Sequence, residues 1–343
     1  MNTYTLKVVD IKIETADCIT LCFKQPGLRK IKYVAGQYIA LIFRINGRRY
    51  VRPYSFSSAP STDHLLEVTI KRVPNGIVSN HIHDMVKIGD SIETLPPLGS
   101  FTCEKENQEL YLWGVGSGIT PLFSIAKQIL SNNDSSRLIL IFGNRDHTTT
   151  IFFNQLKELS EIHGEKFRIK NFHTKYSINP QIPGLIEGRI DLKNALDILE
   201  EFQASPSSIH YICGPVGLKN SVKEALKARG VSNSNIFSED FELVKDPKDF
   251  EEVTTQQIKL RFGPIDHELE VAKGKTILEC ALDAGIELPY SCQTGDCNIC
   301  KGNLLDGSVK MIGLKENPPE LNEREYLLCC SHPTSSNVYI EIE

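Results

Sequence analysis

The segment PYSCQTGDCNIC, Pro289 to Cys300, places three cysteines at the spacing C-x4-C-x2-C in a chain of 343 residues. Two adjacent cysteines, Cys329 and Cys330, follow later in the sequence. Four thiolates at this spacing are typical ligands of a [2Fe–2S] cluster. Structural zinc sites usually combine two short Cys pairs, whereas this segment contains one such pair, Cys297 with Cys300. The spacing therefore favours iron–sulfur over zinc, with the ligands Cys292, Cys297, Cys300 and one of the two adjacent cysteines.

The residues around these cysteines support the same interpretation. Gly295 lies where the backbone must bend tightly and bring N–H groups toward sulfur, which a residue without a side chain permits. The segment resembles the cluster loop of plant-type ferredoxins, although Asn298 stands where that family commonly has a small residue. In the family a cysteine precedes Pro-Thr-Ser by four residues, and Pro333 gives that place to Cys329. The resemblance therefore implies Cys329 as the fourth ligand, with Cys330 as the alternative.

The flanking sequence predicts a small β-grasp ferredoxin domain over residues 256–343. Two β-type runs can pair as a hairpin around a Gly-Pro turn, namely Ile258–Phe262 and His267–Val271. Thr276 and Glu279 form a capping-box pattern, which predicts a helix that runs to about Ala284 and ends at Gly285.

The charge of the chain is concentrated in this last segment. The whole chain has a net charge of −5, and residues 256–343 contain 14 acidic against 8 basic residues. These acidic residues form either an ordinary solvated face or a steering surface for a basic redox partner. The negative balance argues against a dedicated nucleic-acid binder.

A glycine-rich turn in the middle of the chain suggests dinucleotide binding. The strand-like run Glu109–Val115 leads into Gly116-Ser117-Gly118-Ile119-Thr120-Pro121 and then into an apolar helical pattern, Leu122–Leu130. Such glycines let a pyrophosphate approach backbone N–H groups at the start of a helix. Thr120 suits the N-cap and Pro121 the first helical position. Because a Rossmann turn would have glycine where Pro121 stands, this turn alone leaves the site open.

Strand and helix patterns alternate over residues 106–240, which predicts a parallel sheet covered on both faces. The further strands are Arg137–Gly143, Phe167–Thr174 and Ser208–Cys213, and the helices are Phe152–His163, Leu192–Phe202 and Val216–Arg229. Cys213-Gly214-Pro215 follows the carboxyl end of a strand, where ligands bind in such sheets. Taken alone, this tripeptide is more simply a tight turn.

Residues 1–105 follow a different pattern, which predicts a small antiparallel barrel. Its β-type runs are Tyr4–Ile13, Thr20–Lys24, Tyr38–Arg44, Arg48–Tyr54, Leu65–Val73 and Ser91–Leu95. The region contains Arg52-Pro53-Tyr54-Ser55 and, at a predicted helix start, Gly76-Ile77-Val78-Ser79. Without further context, these are a strand with a buried tyrosine and a capped helix.

The remaining segment, 241–255, is charged and lacks periodicity, so we interpret it as a linker that lets the last domain move. The apolar runs of the chain are far shorter than the ~20 residues of a membrane span. The N-terminus lacks the apolar core of a signal peptide. We expect a cytoplasmic protein whose ten cysteines stay reduced.

The order of these motifs resembles that of a known family. RPYS, GIVS, GSGITP, CGP and the cysteine segment follow one another as in the ferredoxin–NADP⁺ reductase superfamily, in members with a C-terminal plant-type ferredoxin domain. Within it, the chain is similar to the phenylacetyl-CoA epoxidase-type reductases. The resemblance covers the full length. It implies an antiparallel β-barrel FAD domain, a Rossmann-like NAD(P) domain with a parallel sheet, and a β-grasp ferredoxin domain.

The resemblance also implies roles for the flavin motifs. Arg52 would hold the flavin pyrophosphate, Tyr54 would stack on the isoalloxazine, and Ser55 would bind flavin N5, where hydride arrives. Pro53 completes this motif. The pyrophosphate would also bind the second motif, Gly76, Ile77, Val78 and Ser79. Because this second motif is present, FAD is favoured over FMN.

The resemblance assigns the nicotinamide nucleotide to the middle domain. Its binding residues would be Gly116, Ser117, Gly118, Thr120, Pro121, Arg145, Cys213, Gly214 and Pro215. Cys213 would lie beside the nicotinamide. Arg145 suits a 2′-phosphate, whereas the adjacent Asp146 suits a ribose hydroxyl or an ion pair with Arg145. We therefore favour NADPH, with NADH as the alternative. Glu239 and Phe241 match a family segment near the flavin.

The expected activity is transfer of electrons from NAD(P)H through FAD and the [2Fe–2S] cluster to an acceptor protein that docks near the cluster loop. The resemblance implies the oxygenase of a phenylacetyl-CoA epoxidase-type diiron monooxygenase, in phenylacetate catabolism. A ring hydroxylase, a desaturase or a hybrid-cluster protein is an alternative acceptor. A non-catalytic ferredoxin-type carrier is a further alternative, which the intact GSGITP turn, Arg52 and Cys213 disfavour. We expect neither nucleic acid nor membrane as a partner.

Overall fold

The computed structural model describes residues 2–27, 30–103, 108–132, 136–175, 185–314 and 320–342. The expected boundary between the first two domains, at residues 105 and 106, lies outside the described residues. The chain forms two compact units, which are Met1–Ile39 with Tyr54–Asp240, and Ala40–Pro53 with Phe241–Glu343.

The first sheet is antiparallel and has six strands within the described residues. They are β1 (Tyr4–Thr15), β2 (Cys18–Lys24), β3 (Tyr38–Ile45), β4 (Arg48–Ser55), β5 (Leu66–Lys71) and β6 (Ser91–Thr94). Their order is β4-β3-β6-β1-β2-β5. Phe56, directly after β4, bridges Val68 of β5, so the two outer strands meet and the sheet closes as the predicted barrel. Helix α1 (Ile77–Met85) starts at the predicted position.

The second sheet is parallel, and the described part of the chain contributes six strands to it. They are β7 (Glu109–Val115), β8 (Arg137–Asn144), β9 (Phe167–His173), β10 (Leu185–Glu187), β11 (Ile209–Cys213) and β12 (Ile236–Glu239), in the order β10-β9-β8-β7-β11-β12. The sequence patterns miss β10 and β12 because these strands are short and only partly buried. Glu239 is the final residue of β12, and Phe241 beyond it is exposed.

Helices cover both faces of the second sheet, as predicted. They are α2 (Ile119–Ser131), α3 (Phe153–His163), α4 (Leu192–Glu201) and α5 (Val216–Ala228). Leu112 of β7 packs with Leu122 of α2, and its neighbour Trp113 packs on the opposite face with Val222 of α5. Both faces of β7 are therefore buried, as in a central parallel strand. No helix among the described residues is long and apolar enough to span a membrane.

Helix α2 begins earlier than predicted. Residues Gly116–Gly118 form a 3-10 turn, and α2 starts at Ile119 with Gly118 rather than Thr120 at the N-cap. Thr120 lies inside the first turn, where its hydroxyl donates to the carbonyl three residues earlier at 3.0 Å. Pro121 is tolerated at the third helical position because the first four N–H groups of a helix have no partner within it.

The second unit contains the predicted hairpin and helix together with further strands of a β-grasp domain. They are β13 (Gln256–Phe262), β14 (Ile265–Val271), α6 (Ile277–Asp283), β15 (Lys301–Asp306), β16 (Val309–Met311), β17 (Glu325–Leu327), β18 (Ser331–Pro333) and β19 (Tyr339–Ile342). The larger sheet has the order β14-β13-β19-β15-β17, and β16 pairs with β18. Strands β13 and β14 form the predicted hairpin. Thr276 and Glu279 exchange the two hydrogen bonds of the predicted capping box, at 2.7 and 3.1 Å.

The segment 241–255 is folded onto this second unit. Residues Pro247–Phe250 form a 3-10 turn. The Phe250 ring meets the His332 ring edge-on, with 5.1 Å between centroids. The Asp249 carbonyl accepts from Lys310 Nζ at 3.0 Å, and Val253 is buried. These contacts hold the segment against residues 256–343.

Candidate functional site

The cysteine segment lies between α6 and β15 and has an irregular backbone. Gln293, Gly295 and Asn298 adopt positive φ angles of 60°, 76° and 53°. Asparagine visits this region more readily than most residues, which accounts for Asn298. A Cβ atom at Gly295 would lie 2.8 Å from Leu314 Cδ2 and 3.6 Å from Cys330 Sγ. Glycine is therefore favoured at position 295 by its backbone conformation, whereas the contact with the end of the Leu314 side chain is one that this side chain can relieve by moving.

Backbone N–H groups of this segment point at sulfur. The amides of Thr294 and Asp296 each lie 3.4 Å from Cys292 Sγ, and the Cys292 amide lies 3.5 Å from Cys297 Sγ. Hydrogen bonds from the thiols of Cys297 and Cys329, and then from the two amides, lower the pKa of Cys292. Donors directed at sulfur stabilise the thiolate that a metal centre requires.

The proposed ligands contact one another through their sulfur atoms. Cys292 contacts Cys297 and Cys329, and Cys329 also contacts Cys300 and Cys330. The Cys330 thiol in addition donates to a backbone carbonyl three residues earlier, at 3.3 Å, which favours Cys329 as the fourth ligand. No three Cys, His, Asp or Glu side chains in the described ranges converge as ligands of a single metal ion. Neighbouring thiols with N–H donors directed at sulfur fit a [2Fe–2S] cluster, whose four cysteine ligands are divided between two irons.

The RPYS motif forms the end of β4. Ser55 is buried, and the three residues before it are half-buried. The Arg52 guanidinium donates to the Val51 carbonyl at 2.9 Å and lies 5.7 Å from the centroid of the Tyr50 ring. These contacts orient Arg52, and its remaining donors suit a phosphate group. The motif therefore fits the expected flavin pyrophosphate.

The GIVS motif forms the start of α1. A Cβ atom at Gly76 would lie 2.7 Å from Ser79 Oγ and 3.0 Å from Val73 Cβ, so the chain enters the helix through a space that only glycine fits. The Ser79 hydroxyl accepts from the Val73 N–H at 3.1 Å. Gly76 is the N-cap residue, and within the described residues no N-cap side chain accepts a hydrogen bond from the first turn of α1. The N–H groups of Ile77 and Val78, at the positive end of the helix dipole, therefore suit an anion.

Folding brings the GSGITP and CGP motifs into contact. Strands β7 and β11 are neighbours, so both motifs lie at the carboxyl edge of the second sheet. Gly118 packs so closely on the Cys213–Gly214 peptide that a Cβ atom there would overlap the Cys213 carbonyl oxygen and lie 3.0 Å from Gly214 N. A Cβ atom at Gly214 would lie 3.2 Å from Val115 Cβ. This edge is where open parallel sheets bind ligands, and the arrangement fits a dinucleotide.

Arg145 and Asp146, directly after β8, have different surroundings. The Asp146 carboxylate caps a 3-10 turn, where it accepts from the Thr148 hydroxyl at 2.7 Å and from the Thr149 N–H at 3.2 Å. These hydrogen bonds, that of Thr148 first, lower the pKa of Asp146. Arg145 is exposed. Asp146 is therefore held as a structural cap, whereas Arg145 is accessible to a nucleotide.

Two buried polar side chains at the same edge were missed by the sequence reasoning. Asn144 ends β8 and is paired in register with His173, which ends β9. Among the described atoms, the side-chain Oδ1 and Nδ2 of Asn144 and Nδ1 of His173 have no hydrogen-bond partner. Thr150 Oγ1 lies 3.5 Å from His173 Nε2, and burial lowers the pKa of His173. Their position at the carboxyl ends of two parallel strands was the signal that could have identified them.

The cysteines that precede the cluster segment are buried. They are Cys18, Cys22, Cys103, Cys213 and Cys280. Burial raises the pKa of Cys22 to about 12, so its thiol stays protonated and unreactive.

Three domain families match the chain in the order of the three expected domains. Residues 5–103 match the oxidoreductase FAD-binding domain, residues 112–224 the oxidoreductase NAD-binding domain, and residues 262–334 the 2Fe-2S iron–sulfur cluster binding domain. Together with the fold, these matches define the class of protein: a pyridine-nucleotide oxidoreductase with FAD and a [2Fe–2S] cluster. The expected flavin and cluster are thereby confirmed.

Known relatives extend the match over the whole chain. The chain is 32% identical to the ferredoxin reductase component of 3-ketosteroid-9-alpha-monooxygenase from Rhodococcus rhodochrous, covering 98% of this chain and 96% of that protein. It is 28% identical to one of the subunits of 1,2-phenylacetyl-CoA epoxidase from Escherichia coli (strain K12), covering 100% and 99%. Its fold is similar to that of phthalate dioxygenase reductase, with a TM-score of 0.70, 22% identity and coverage of 99% and 98%. The chain belongs to the ferredoxin–NADP⁺ reductase superfamily, in the branch with a C-terminal plant-type [2Fe–2S] domain.

Proposed function

We propose that this chain is the NADPH-dependent reductase component of an oxygenase system. The observation that carries the proposal is the presence of two sites in one chain. One is the nucleotide turn, in which Gly118 packs on Cys213, and the other is the set of contacting thiols around Cys292 and Cys329. Two relatives named as components of a monooxygenase and an epoxidase support an oxygenase as the acceptor.

The protein's part in this reaction is positioning. When bound, flavin supplies the chemistry that accepts a hydride from nicotinamide and releases two electrons one at a time. Arg52 would bind its pyrophosphate together with the first-turn N–H groups of α1. Tyr54 would stack on the isoalloxazine, and Ser55 would hydrogen-bond N5. Cys213, buried at the end of β11, would hold the nicotinamide in place.

Arg145 supports NADPH as the electron donor. Its guanidinium is exposed directly after β8, where the 2′-substituent of a bound nucleotide lies in Rossmann-like sheets. The neighbouring Asp146 is engaged with two threonines and is not free to bind a ribose hydroxyl. A 2′-phosphate would add a charge-assisted hydrogen bond that NADH lacks.

We further propose a phenylacetyl-CoA epoxidase-type diiron monooxygenase, acting in phenylacetate catabolism, as the acceptor that docks near the Cys292–Cys300 loop. The full-length similarity to a component of such an epoxidase supports this choice. A steroid monooxygenase is the second candidate, because the other relative serves one by name. A cytoplasmic location suits a chain whose ten cysteines form no disulfide.

A visible spectrum with anaerobic reduction tests the proposed activity. The holoprotein should show a flavin band near ~450 nm, and NADPH should bleach it. A protein that has a cluster but is reduced by neither nucleotide would be a carrier and not a reductase. Zinc in place of iron in a metal analysis would contradict the cluster.

The Cys297→Ser variant tests the order of the electron path. It should lose the cluster and retain NADPH-driven reduction of ferricyanide. Loss of ferricyanide reduction with flavin still bound would contradict the linear path from NADPH through flavin to the cluster.

Reconstitution tests the proposed acceptor. The reductase is mixed with a purified phenylacetyl-CoA epoxidase oxygenase component, and in parallel with a ketosteroid monooxygenase oxygenase component. We expect NADPH consumption coupled to product formation with the first. Coupling with the second alone would reject the epoxidase assignment and retain the oxygenase one.

A further inference from the structure

Side chains of the cysteine segment hold the peptide groups of Val51 in β4. Within the second compact unit, the Val51 N–H donates to the Tyr290 hydroxyl at 2.9 Å, and the Val51 carbonyl accepts from Gln293 Nε2 at 3.2 Å. Val51 is fully buried and Tyr290 is 2% exposed. In the described strand order β4 is an outer strand, and its bridge to β5 forms beyond its end, at Phe56, so the outward polar groups of Val51 need partners other than a neighbouring strand. Tyr290 and Gln293 are those partners, and the Arg52 guanidinium shares the Val51 carbonyl.

These two hydrogen bonds join the residue before Arg52 to the loop that carries a proposed cluster ligand. Gln293 directly follows Cys292, and Tyr290 precedes it by two residues. Val51 directly precedes Arg52, the first residue of the RPYS motif. Gln293 adopts a positive φ of 60°, which is unfavourable for a residue with a side chain, and in this conformation its amide reaches the Val51 carbonyl.

Two ion pairs flank this contact. Arg44 Nη1 lies 2.9 Å from Glu287 Oε1, and Arg48 Nη2 lies 2.6 Å from Asp283 Oδ1. Arg44 lowers the pKa of Glu287, and Lys275 together with Arg48 lowers the pKa of Asp283. All four paired side chains are partly exposed, so the pairs contribute more to orientation than to stability. Part of the acidic charge of residues 256–343 therefore meets arginines of the same chain.

We propose that Tyr290 and Gln293 are positioning residues for electron passage from flavin to cluster, an inference that rests on the proposed function. By holding Val51, they fix the adjoining Arg52 against the loop that carries Cys292, all within the second unit. With both groups bound, each transfer would move one electron from the reduced flavin to one ferric ion of the cluster, which would become ferrous. No covalent bond forms or breaks. A looser contact slows this step and leaves flavin reduction by NADPH unchanged.

Three conservative variants isolate the contact. Tyr290→Phe removes only the hydroxyl that binds Val51. Gln293→Asn shortens the amide by one methylene group while tolerating the same positive φ. Tyr339→Phe is the matched control, because this hydroxyl in the same unit donates to Asp266 at 3.0 Å and makes no hydrogen bond to Val51.

Stopped-flow absorption of the holoprotein separates the two electron steps. In each single variant, flavin reduction by NADPH should keep its rate. Cluster reduction should slow by about fivefold, which corresponds to one hydrogen bond of about 1 kcal/mol. The double variant should be slower still, and the Tyr339→Phe control should match the unmodified protein. Unchanged cluster reduction in both single variants would overturn the proposal.

Amide hydrogen exchange supplies a readout that does not depend on activity. Measured on the oxidised holoprotein without NADPH, exchange at Val51 should accelerate by at least about fivefold in Tyr290→Phe, because its N–H loses its acceptor. An unchanged exchange rate at the Val51 amide in Tyr290→Phe would contradict the hydrogen bond between Val51 and Tyr290. Loss of the cluster's visible circular dichroism in both Tyr290→Phe and Gln293→Asn would overturn the positioning role in favour of a structural one. Failure of NADPH to reduce flavin in the unmodified protein would instead contradict the proposed function, and the exchange result would still decide whether the contact exists.

Discussion

Replacing Gly118 by alanine tests the contact between the nucleotide turn and the Cys213 turn. The new methyl group would overlap the Cys213 carbonyl oxygen and lie 2.6 Å from its carbonyl carbon. Because carbon atoms pack at about 3.5–4.0 Å, the two turns must separate by about 1 Å. Overpacking of this kind costs about 1–3 kcal/mol of stability. A displacement of about 1 Å at a reacting group can cost up to about 100-fold in rate.

The assay combines thermal unfolding with kcat/KM for NADPH, measured with ferricyanide as a flavin-level acceptor. We expect Gly118→Ala to lower Tm and to reduce kcat/KM by about 10- to 100-fold. Gly217→Ala in α5 is the matched control, because no described atom lies within 4 Å of a Cβ atom there. Alanine in a helix stabilises by about 0.5–1 kcal/mol relative to glycine, so the control should keep its activity and its Tm should not fall. A Gly118→Ala variant with unchanged Tm and kcat/KM would refute the close packing of the two turns.

Further predictions concern the nucleotide, the fourth ligand and pH. Arg145→Ala should raise KM for NADPH at least about tenfold and change KM for NADH little, and equal effects would remove the 2′-phosphate role. Cys329→Ser should lose iron on elemental analysis while Cys330→Ser retains it; the reverse would assign Cys330 as the ligand. Burial lowers the pKa of His210 from 6.5 to about 3, and its Nδ1 accepts from Trp113 Nε1 at 3.2 Å. Between pH 6.5 and about pH 3, His210 binds a proton in the unfolded chain but not in the folded chain. This group therefore reduces the free energy of unfolding by about 1.4 kcal/mol per pH unit as pH falls below 6.5. His210→Gln should flatten that slope in unfolding measured from about pH 7 to 5, and an unchanged slope would exclude His210 as its source.

Local chemistry explains which features could be predicted from the sequence. The capping box of Thr276 and Glu279, the Gly-Pro hairpin and the bend at Gly295 each depend on residues a few positions apart, so their spacing is visible in the sequence. The long strands β7 and β8 are apolar along their length, as buried parallel strands are. The sequence places the start of α2 too late. Residues Gly116–Gly118 form a 3-10 turn that leads directly into the helix, and such a turn has no separate sequence signature.

Contacts between distant segments could not be predicted in the same way. Gly118 meets Cys213 because β7 and β11 are neighbours in the sheet, and strand order is not encoded in either motif. Val51 meets Tyr290 because β4 is an outer strand whose polar groups lack a strand partner. Asn144 could not be predicted as a site residue, because a neutral side chain at the end of a strand carries no charge and belongs to no motif of characteristic spacing.

An anaerobic titration with NADPH, followed by absorption and electron paramagnetic resonance, tests the proposed electron path. NADPH supplies two electrons, which a [2Fe–2S] cluster would accept singly from the flavin. We expect flavin absorption to bleach and the signal of a reduced [2Fe–2S] cluster then to develop. A flavin that bleaches fully beside a cluster that stays oxidised would contradict the path from nucleotide through flavin to cluster.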